Sequence, residues 1–181
     1  MQDDIRDILI DRYAIQARVY KMAQQLAADY DQREFVLMPL LTGSIIFVAD
    51  LVRHLPVLMR IDVMAVSSYP GKATTNQGTR ILYPNTFDVS GKHVLVIDDI
   101  LDSGRTLKSV RNLLAEQGAA SVKTCVLLKK KLPAAPATEA DYLGFEIPDE
   151  FVVGYGLDFN GYYRNLPDIA ILHHRVFAPG A

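Results

Sequence analysis

Ile15, Val19, Met22, Ala23 and Leu26 recur at helical spacing between Asp11 and Tyr30, which predicts an amphipathic helix whose apolar stripe covers a sheet. Phe35 to Leu41 is a short apolar run ending at Thr42-Gly43-Ser44, and Ile45, Ile46, Val48, Ala49 and Val52 then carry a helical pattern up to Pro56. Together they read as one strand-turn-helix unit. Val57 to Ser67 reads as a second strand, and Tyr69 to Thr79, rich in Gly, Thr and Asn, as a polar loop. Gly91 opens a third strand, His93 to Ile97, and a polar turn leads into a helix from about Thr106 to Gln117, stopped by Gly118. Val122 to Leu128 is a fourth strand. Beyond Lys129, Pro133 and Pro136 mark a connector before short strands at Tyr142 to Phe145, Phe151 to Tyr155 and Ile169 to Leu172. Alternating strands and helices predict an α/β fold with a parallel sheet, whose ligand crevice lies at the carboxyl ends of the strands.

The 181-residue length fits one domain with a sizeable core. A formal charge of −2 argues against a protein that coats nucleic acid or anionic membrane, since either needs a large positive field. Cys125 is the sole cysteine, so no intrachain disulfide asks for an oxidising compartment. The acidic start Met1-Gln2-Asp3-Asp4 lacks a signal-peptide pattern. No apolar stretch reaches the ~20 residues that span a bilayer. A cytoplasmic protein without a membrane partner is expected.

The chemistry concentrates in His93-Val94-Leu95-Val96-Ile97-Asp98-Asp99-Ile100-Leu101-Asp102-Ser103-Gly104-Arg105-Thr106-Leu107. An apolar strand delivers two carboxylates, and a short polar turn then enters a helix. Gly104 permits close backbone approach, Ser103 and Thr106 offer hydroxyls, and amides at a helix start favour a phosphate dianion. Asp98 and Asp99 suit vicinal sugar hydroxyls, or Mg²⁺ reached through water. A sugar phosphate satisfies both halves. Taken singly, each feature is an ordinary turn or helix cap. An Asp-Asp strand end also occurs in receiver domains, but there it ends the first strand. No Gly-x4-Gly-Lys-Ser/Thr is present, so a P-loop enzyme has no support.

Val94 to Leu107 resembles, throughout its length, the phosphoribosyl pyrophosphate motif of the type I phosphoribosyltransferases: an apolar run, two acids, two apolar residues, then a Ser-Gly-x-Thr turn. The resemblance implies that family's fold, a central parallel sheet flanked by helices. It implies a single domain over 1–181, with a core at about 10–130 and a small hood formed largely by 131–181. It also implies that Asp98 and Asp99 hold the ribose hydroxyls, while Asp102, Ser103, Gly104, Arg105 and Thr106 cradle the 5′-phosphate. The resemblance further implies that Asp102 is a general base facing N7 of the purine, since the hypoxanthine-guanine branch has Asp at this position where the pyrimidine regulators typically have Tyr. Ile147 to Asp158 and Tyr162 to Pro167 look like that branch's purine-pocket segment, and similarity runs from Phe35 to Leu172.

By the same resemblance Phe151 stacks on the purine and Val152 meets the base edge through its backbone. Asp158 contacts both base and metal, Arg164 contacts pyrophosphate, and Lys130 recognises the 6-oxo group. Leu41-Thr42-Gly43 stands where the family has Leu-Lys-Gly, a tight pyrophosphate turn, so Thr42 replaces the commonest lysine while its amide and that of Gly43 survive. Ser68-Tyr69 matches the start of a flexible loop, whose polar composition suits a lid. Implied partners are phosphoribosyl pyrophosphate, a 6-oxopurine, Mg²⁺ bound by Asp98, Asp99 and Asp158, and further copies of the chain as a dimer or tetramer.

Read without the resemblance, Phe151 is as well placed for a core as for a base. Lys129-Lys130-Lys131 is a solvated patch, Asp158 with Arg164 a surface ion pair, and Cys125 a buried small hydrophobe. The four histidines show no metal spacing. Two rival functions are a xanthine phosphoribosyltransferase and an RNA-binding regulator of the same fold. Asp102 and the purine-pocket segment oppose the second.

Overall fold

The computed structural model describes residues 2–31, 33–67 and 80–177. After a short 3-10 turn, the elements in chain order are β1 (Ile5–Ile10), α1 (Arg12–Asp29), β2 (Phe35–Leu41), α2 (Ile45–Arg53), β3 (Met59–Ile61), β4 (Met64–Ser67), β5 (Arg80–Tyr83), β6 (His93–Leu101), α3 (Arg105–Glu116), β7 (Ser121–Lys130), β8 (Tyr142–Ile147), β9 (Val152–Val153), β10 (Ile169–Leu172) and α4 (His174–Phe177). The main sheet has the order β5-β4-β2-β6-β7-β8, with β3 also paired to β2. Its ladders are parallel except for β4 with β5. The α/β expectation therefore holds.

The stripe residues of α1 are all buried. The Asp11 carboxylate starts that helix by accepting from the amides of Tyr13 and Ala14 at 2.9 Å, giving partners to two donors the helix itself leaves unmatched. Strand residues alternate between two cores. Phe35, Leu37, Leu95 and Ile97 pack with Ile15, Met22 and Leu51 from α1 and α2. Val36, Met38, Leu40, Val94 and Val96 pack with Leu107, Val110 and Leu114 from α3. Helices on both faces of the sheet account for the unbroken apolar run of β2.

Three expectations need correction. The single strand expected over Val57 to Ser67 is two, β3 and β4, whose pairing with β2 pauses at Asp62 and resumes in the same register. The cause is the Asp62 carboxylate, which is buried and accepts the amides of Val63, Thr86 and Phe87 at 2.9, 2.6 and 2.8 Å. Next, β6 runs four residues past Ile97, so Asp98 and Asp99 lie within a strand and not beyond its end. Pairing with β7 on one side sustains that extension.

The small second sheet, ordered β1-β10-β9, draws on both ends of the chain. β8, from the segment expected to form the hood, instead extends the main sheet beside β7. Ion pairs Arg6–Glu150 at 2.9 Å and Arg12–Asp168 at 2.8 Å tie the N-terminal segment to the C-terminal one. The expected polar loop from Tyr69 to Thr79, with Ser68, lies outside the described residues.

Candidate active site

The chain reverses its direction of travel across the sheet between β2 and β6. β2 leads through α2 to β3 and β4 on one side, and β6 leads through α3 to β7 on the other. In an open α/β sheet such a reversal leaves a crevice at the carboxyl ends of the two strands. β2 pairs with β6 only as far as Pro39 opposite Ile97, so Asp98 to Leu101 are bonded on the β7 side alone. A cavity of about 420 Å³ occupies the opening. Its wall carries Gly43, Asp98, Asp99, the entire turn from Asp102 to Thr106, Asp158 and Arg164.

The two adjacent acids interact with each other and with their own backbone. The Asp99 amide donates to Asp98 Oδ1 at 3.1 Å, and the Ile100 amide to Asp99 Oδ1 at 2.8 Å. Burial, the neighbouring Asp99 charge and the hydrogen bond between the two hold the Asp98 carboxyl well above the usual range. Burial also raises Asp99, opposed by its hydrogen bonds and by the charge of Arg164. Two carboxylates that crowd each other favour a shared proton, a hydroxyl donor or a cation.

Across the cavity, α3 starts with Gly104 in the left-handed region at φ 73°. A Cβ there would also sit 3.0 Å from the backbone nitrogens of Ala137 and Thr138, so the conformation favours glycine and the packing leaves a side chain little room. The connector braces this turn, the Ala137 amide donating to the Ser103 carbonyl at 2.8 Å. The positive end of the α3 dipole faces the cavity through Asp102 to Thr106, as an anion site demands.

Close backbone packing sets the third side. A Cβ on Gly43 would lie 1.7 Å from Asp99 Oδ2, and one on Gly156 would lie 2.1 Å from the Gly43 carbonyl oxygen. The Leu41–Thr42 peptide is cis, and the Thr42 carbonyl accepts from Ile45 at 3.2 Å. Asp158 accepts from Arg164 at 2.7 Å and from the Gly161 amide at 2.7 Å. The Arg164 guanidinium also donates to the Gly156 carbonyl. Asp158 and Arg164 thus form an ion pair, but one on a cavity wall.

Ten of the expected residues share that wall; Thr42, Lys130, Phe151 and Val152 do not. Phe151 is 36% exposed and meets Phe159 edge-on with centroids 5.5 Å apart, so it is not a core residue. Val152 is buried in β9. The lysine patch is not freely solvated: Lys129 pairs with Glu139 at 2.6 Å, Lys130 with Asp149 at 2.9 Å and Lys131 with Glu146 at 3.7 Å. Cys125 is fully buried, as expected, and burial pushes its thiol pKa up. Sequence reasoning missed Gly156 and Asp149. A glycine two positions before Asp158 was a legible signal for the first, whereas nothing in the sequence pairs Asp149 with Lys130. Ser68 and Tyr69 lie outside the described residues. Among the described residues, no helix is long and apolar enough to cross a membrane.

A crevice with paired acids facing a helix-start turn has the polarity that a sugar phosphate requires. Residues 7–160 match the family model described as phosphoribosyl transferase domain. The chain belongs to the phosphoribosyltransferase family. A hypoxanthine-guanine phosphoribosyltransferase of Streptococcus pneumoniae is 42% identical over 178 residues, spanning 98% of this chain and 99% of that protein. A crystal structure of a hypoxanthine phosphoribosyltransferase from Staphylococcus aureus superposes with TM-score 0.92 at 38% identity, over 98% of this chain and 97% of the other. The hypoxanthine phosphoribosyl transferase of Trypanosoma cruzi gives TM-score 0.89 at 35% identity, over 97% and 95%.

Proposed function

We propose that this protein moves the 5-phosphoribosyl group of phosphoribosyl pyrophosphate onto N9 of a 6-oxopurine, hypoxanthine or guanine, giving the nucleoside monophosphate and pyrophosphate. The observation that carries this reading is the meeting, in one cavity, of the Asp98–Asp99 pair with the Asp102 to Thr106 turn. One side accepts hydroxyl donors and the other donates amides to a dianion, which is the polarity of a ribose 5-phosphate.

The acid set fits Mg²⁺. Asp98, Asp99 and Asp158 offer hard oxygens on one wall, and a cation offsets both the burial and the neighbouring charge that hold the Asp98 pKa up. No described group of three or more ligand side chains forms a ready metal cage, as suits an ion that keeps several waters and binds through one or two carboxylates plus substrate phosphates. When bound, Mg²⁺ supplies charge that offsets the acids and stabilises the leaving pyrophosphate.

The chain's own residues do the rest. Gly43 and Thr42 present backbone amides, and Arg164 its guanidinium, to pyrophosphate. The Asp102 turn fixes the 5′-phosphate, so that C1′ is held in line with the incoming N9. As the C1′–oxygen bond to pyrophosphate breaks and the C1′–N9 bond forms, positive charge grows on the ribose beside Asp98 and Asp99. Asp102, exposed at the mouth of the turn, lies free to take the purine proton through N7. Phe151 stacks on the base, Val152 and Asp158 meet its edge, and Lys130 donates to the 6-oxo group. We read the working form as a dimer or tetramer of a single-domain chain acting in the cytoplasm.

The test is a spectrophotometric assay with phosphoribosyl pyrophosphate and Mg²⁺, offering hypoxanthine, guanine, xanthine, adenine and uracil separately, with and without chelator. Chelator-sensitive conversion of hypoxanthine or guanine is expected. Conversion of xanthine alone, or salt-dependent RNA binding without turnover of any base, overturns the reading.

A further inference from the structure

The three consecutive lysines at the end of β7 are not equivalent. Lys131 and its partner Glu146 are 65% and 49% exposed and 3.7 Å apart, an ordinary surface pair. Lys130 is the most covered of the three side chains, at 15% exposed, and its Nζ lies 2.9 Å from Asp149 Oδ1. Strand alternation turns it to the face opposite Lys129.

Asp149 stands on the turn that joins β8 to β9. That turn is anchored where it leaves β8 and closed by its own backbone: Lys130 sits in register with Ile147, the Lys131 amide donates to the Ile147 carbonyl at 2.8 Å, and the Glu150 amide donates to the Pro148 carbonyl at 2.9 Å. Phe151 and Val152 follow directly. The same turn therefore carries the carboxylate that pairs with Lys130 and leads straight into the proposed stacking ring and the proposed base-edge backbone.

We infer that Asp149 is a positioning residue for base recognition: its carboxylate holds the Lys130 ammonium in place so that a remaining N–H meets the 6-oxo group. An ammonium has three donors, so the bond to Asp149 and the bond to the base coexist. A lysine left free would have to lose its rotamer freedom on every binding event, whereas a tethered one has already lost it. This rests on the proposed function, specifically on Lys130 as the 6-oxo donor.

The variants are Asp149→Asn and Asp149→Glu, each compared with wild type in KM for hypoxanthine, KM for phosphoribosyl pyrophosphate and kcat. Calorimetric affinity is measured for IMP and for purine riboside 5′-monophosphate, which lacks the 6-oxo group. Asp149→Asn should raise the hypoxanthine KM and weaken IMP about five- to tenfold, as loss of one partly covered charged hydrogen bond does. The phosphoribosyl pyrophosphate KM and the affinity for the 6-unsubstituted nucleotide should stay within about twofold. Asp149→Glu should recover part of the loss, and in a Lys130→Met background Asp149→Asn should add nothing. Equal weakening of both nucleotides, an unchanged or lowered hypoxanthine KM, or a full additive effect in the Lys130→Met background overturns the inference while leaving the proposed function standing. A wild type that turns over no base overturns both.

Discussion

Gly156→Ala perturbs the candidate site without replacing any charged group. Gly156 has φ 104°, beyond the left-handed basin that an L side chain tolerates, and holding alanine there costs about 1–3 kcal/mol. The new Cβ would also lie 2.1 Å from the Gly43 carbonyl oxygen, well inside contact distance, and relieving such overpacking costs about 1–3 kcal/mol more. The obstructing atom belongs to backbone, and Gly43 is itself packed against Asp99. Relief therefore moves the turn on which pyrophosphate is proposed to rest by about an ångström. A misplacement of that size costs on the order of 10²-fold in rate. Urea denaturation at low temperature should show a loss of about 2–6 kcal/mol. Steady-state kinetics should show kcat/KM for phosphoribosyl pyrophosphate falling about 100-fold. A variant within 1 kcal/mol of wild type (about fivefold in the folding equilibrium) and with normal kcat/KM would refute the reasoning, because the two backbones would then not be in the contact described.

Other expectations follow from the same geometry. Asp102→Asn removes a proton acceptor from an exposed position, so turnover should fall about 10²–10⁴-fold with an unchanged melting temperature; normal turnover would remove Asp102 from the reaction. Asp62→Ala should destabilise by about 1–3 kcal/mol, since the amides of Val63, Thr86 and Phe87 lose their shared acceptor; a silent substitution in a melting experiment would show that water replaces it. Burial acts to raise the Asp62 pKa, but the amides of Phe87, Val63 and Thr86 outweigh it and hold the carboxyl below its usual value. Arg12, through its hydrogen bond, does the same for Asp168. Both groups thus stabilise the fold above the ordinary carboxylate range, and that contribution disappears as pH falls through their lowered values. Melting temperature against pH should drop on the acid side, less steeply for Asp62→Asn. Cys125 should resist a thiol reagent in the native protein and react on unfolding, because it is fully buried with a raised pKa; fast native labelling would contradict that burial.

Much of this molecule is written locally. The stripe of α1, the apolar run of β2, the strand-to-helix passage from His93 to Glu116 and the β10 segment follow from periodicity and from Gly, Ser and Asp at the turns, because each is decided within a few residues. The anion turn is legible for the same reason: its acids, glycine and hydroxyls are contiguous, so their juxtaposition needs only a short loop. Long-range pairing is not legible in this way. Whether the strand expected at Val57 to Ser67 would break depended on Thr86 and Phe87 reaching Asp62 from more than twenty residues away. That β1 would complete a sheet with β10, and β8 extend the main one, depended on which sheet edges stood open. Gly43 against Gly156, and Lys130 against Asp149, are likewise contacts between segments that only packing brings together. Composition and spacing determined which side chains could bind a sugar phosphate. The reversal of the sheet between β2 and β6 decided that Gly43, Asp98, Asp158 and Arg164 surround one cavity, because a crevice is a property of strand order and strand order is settled by the whole core.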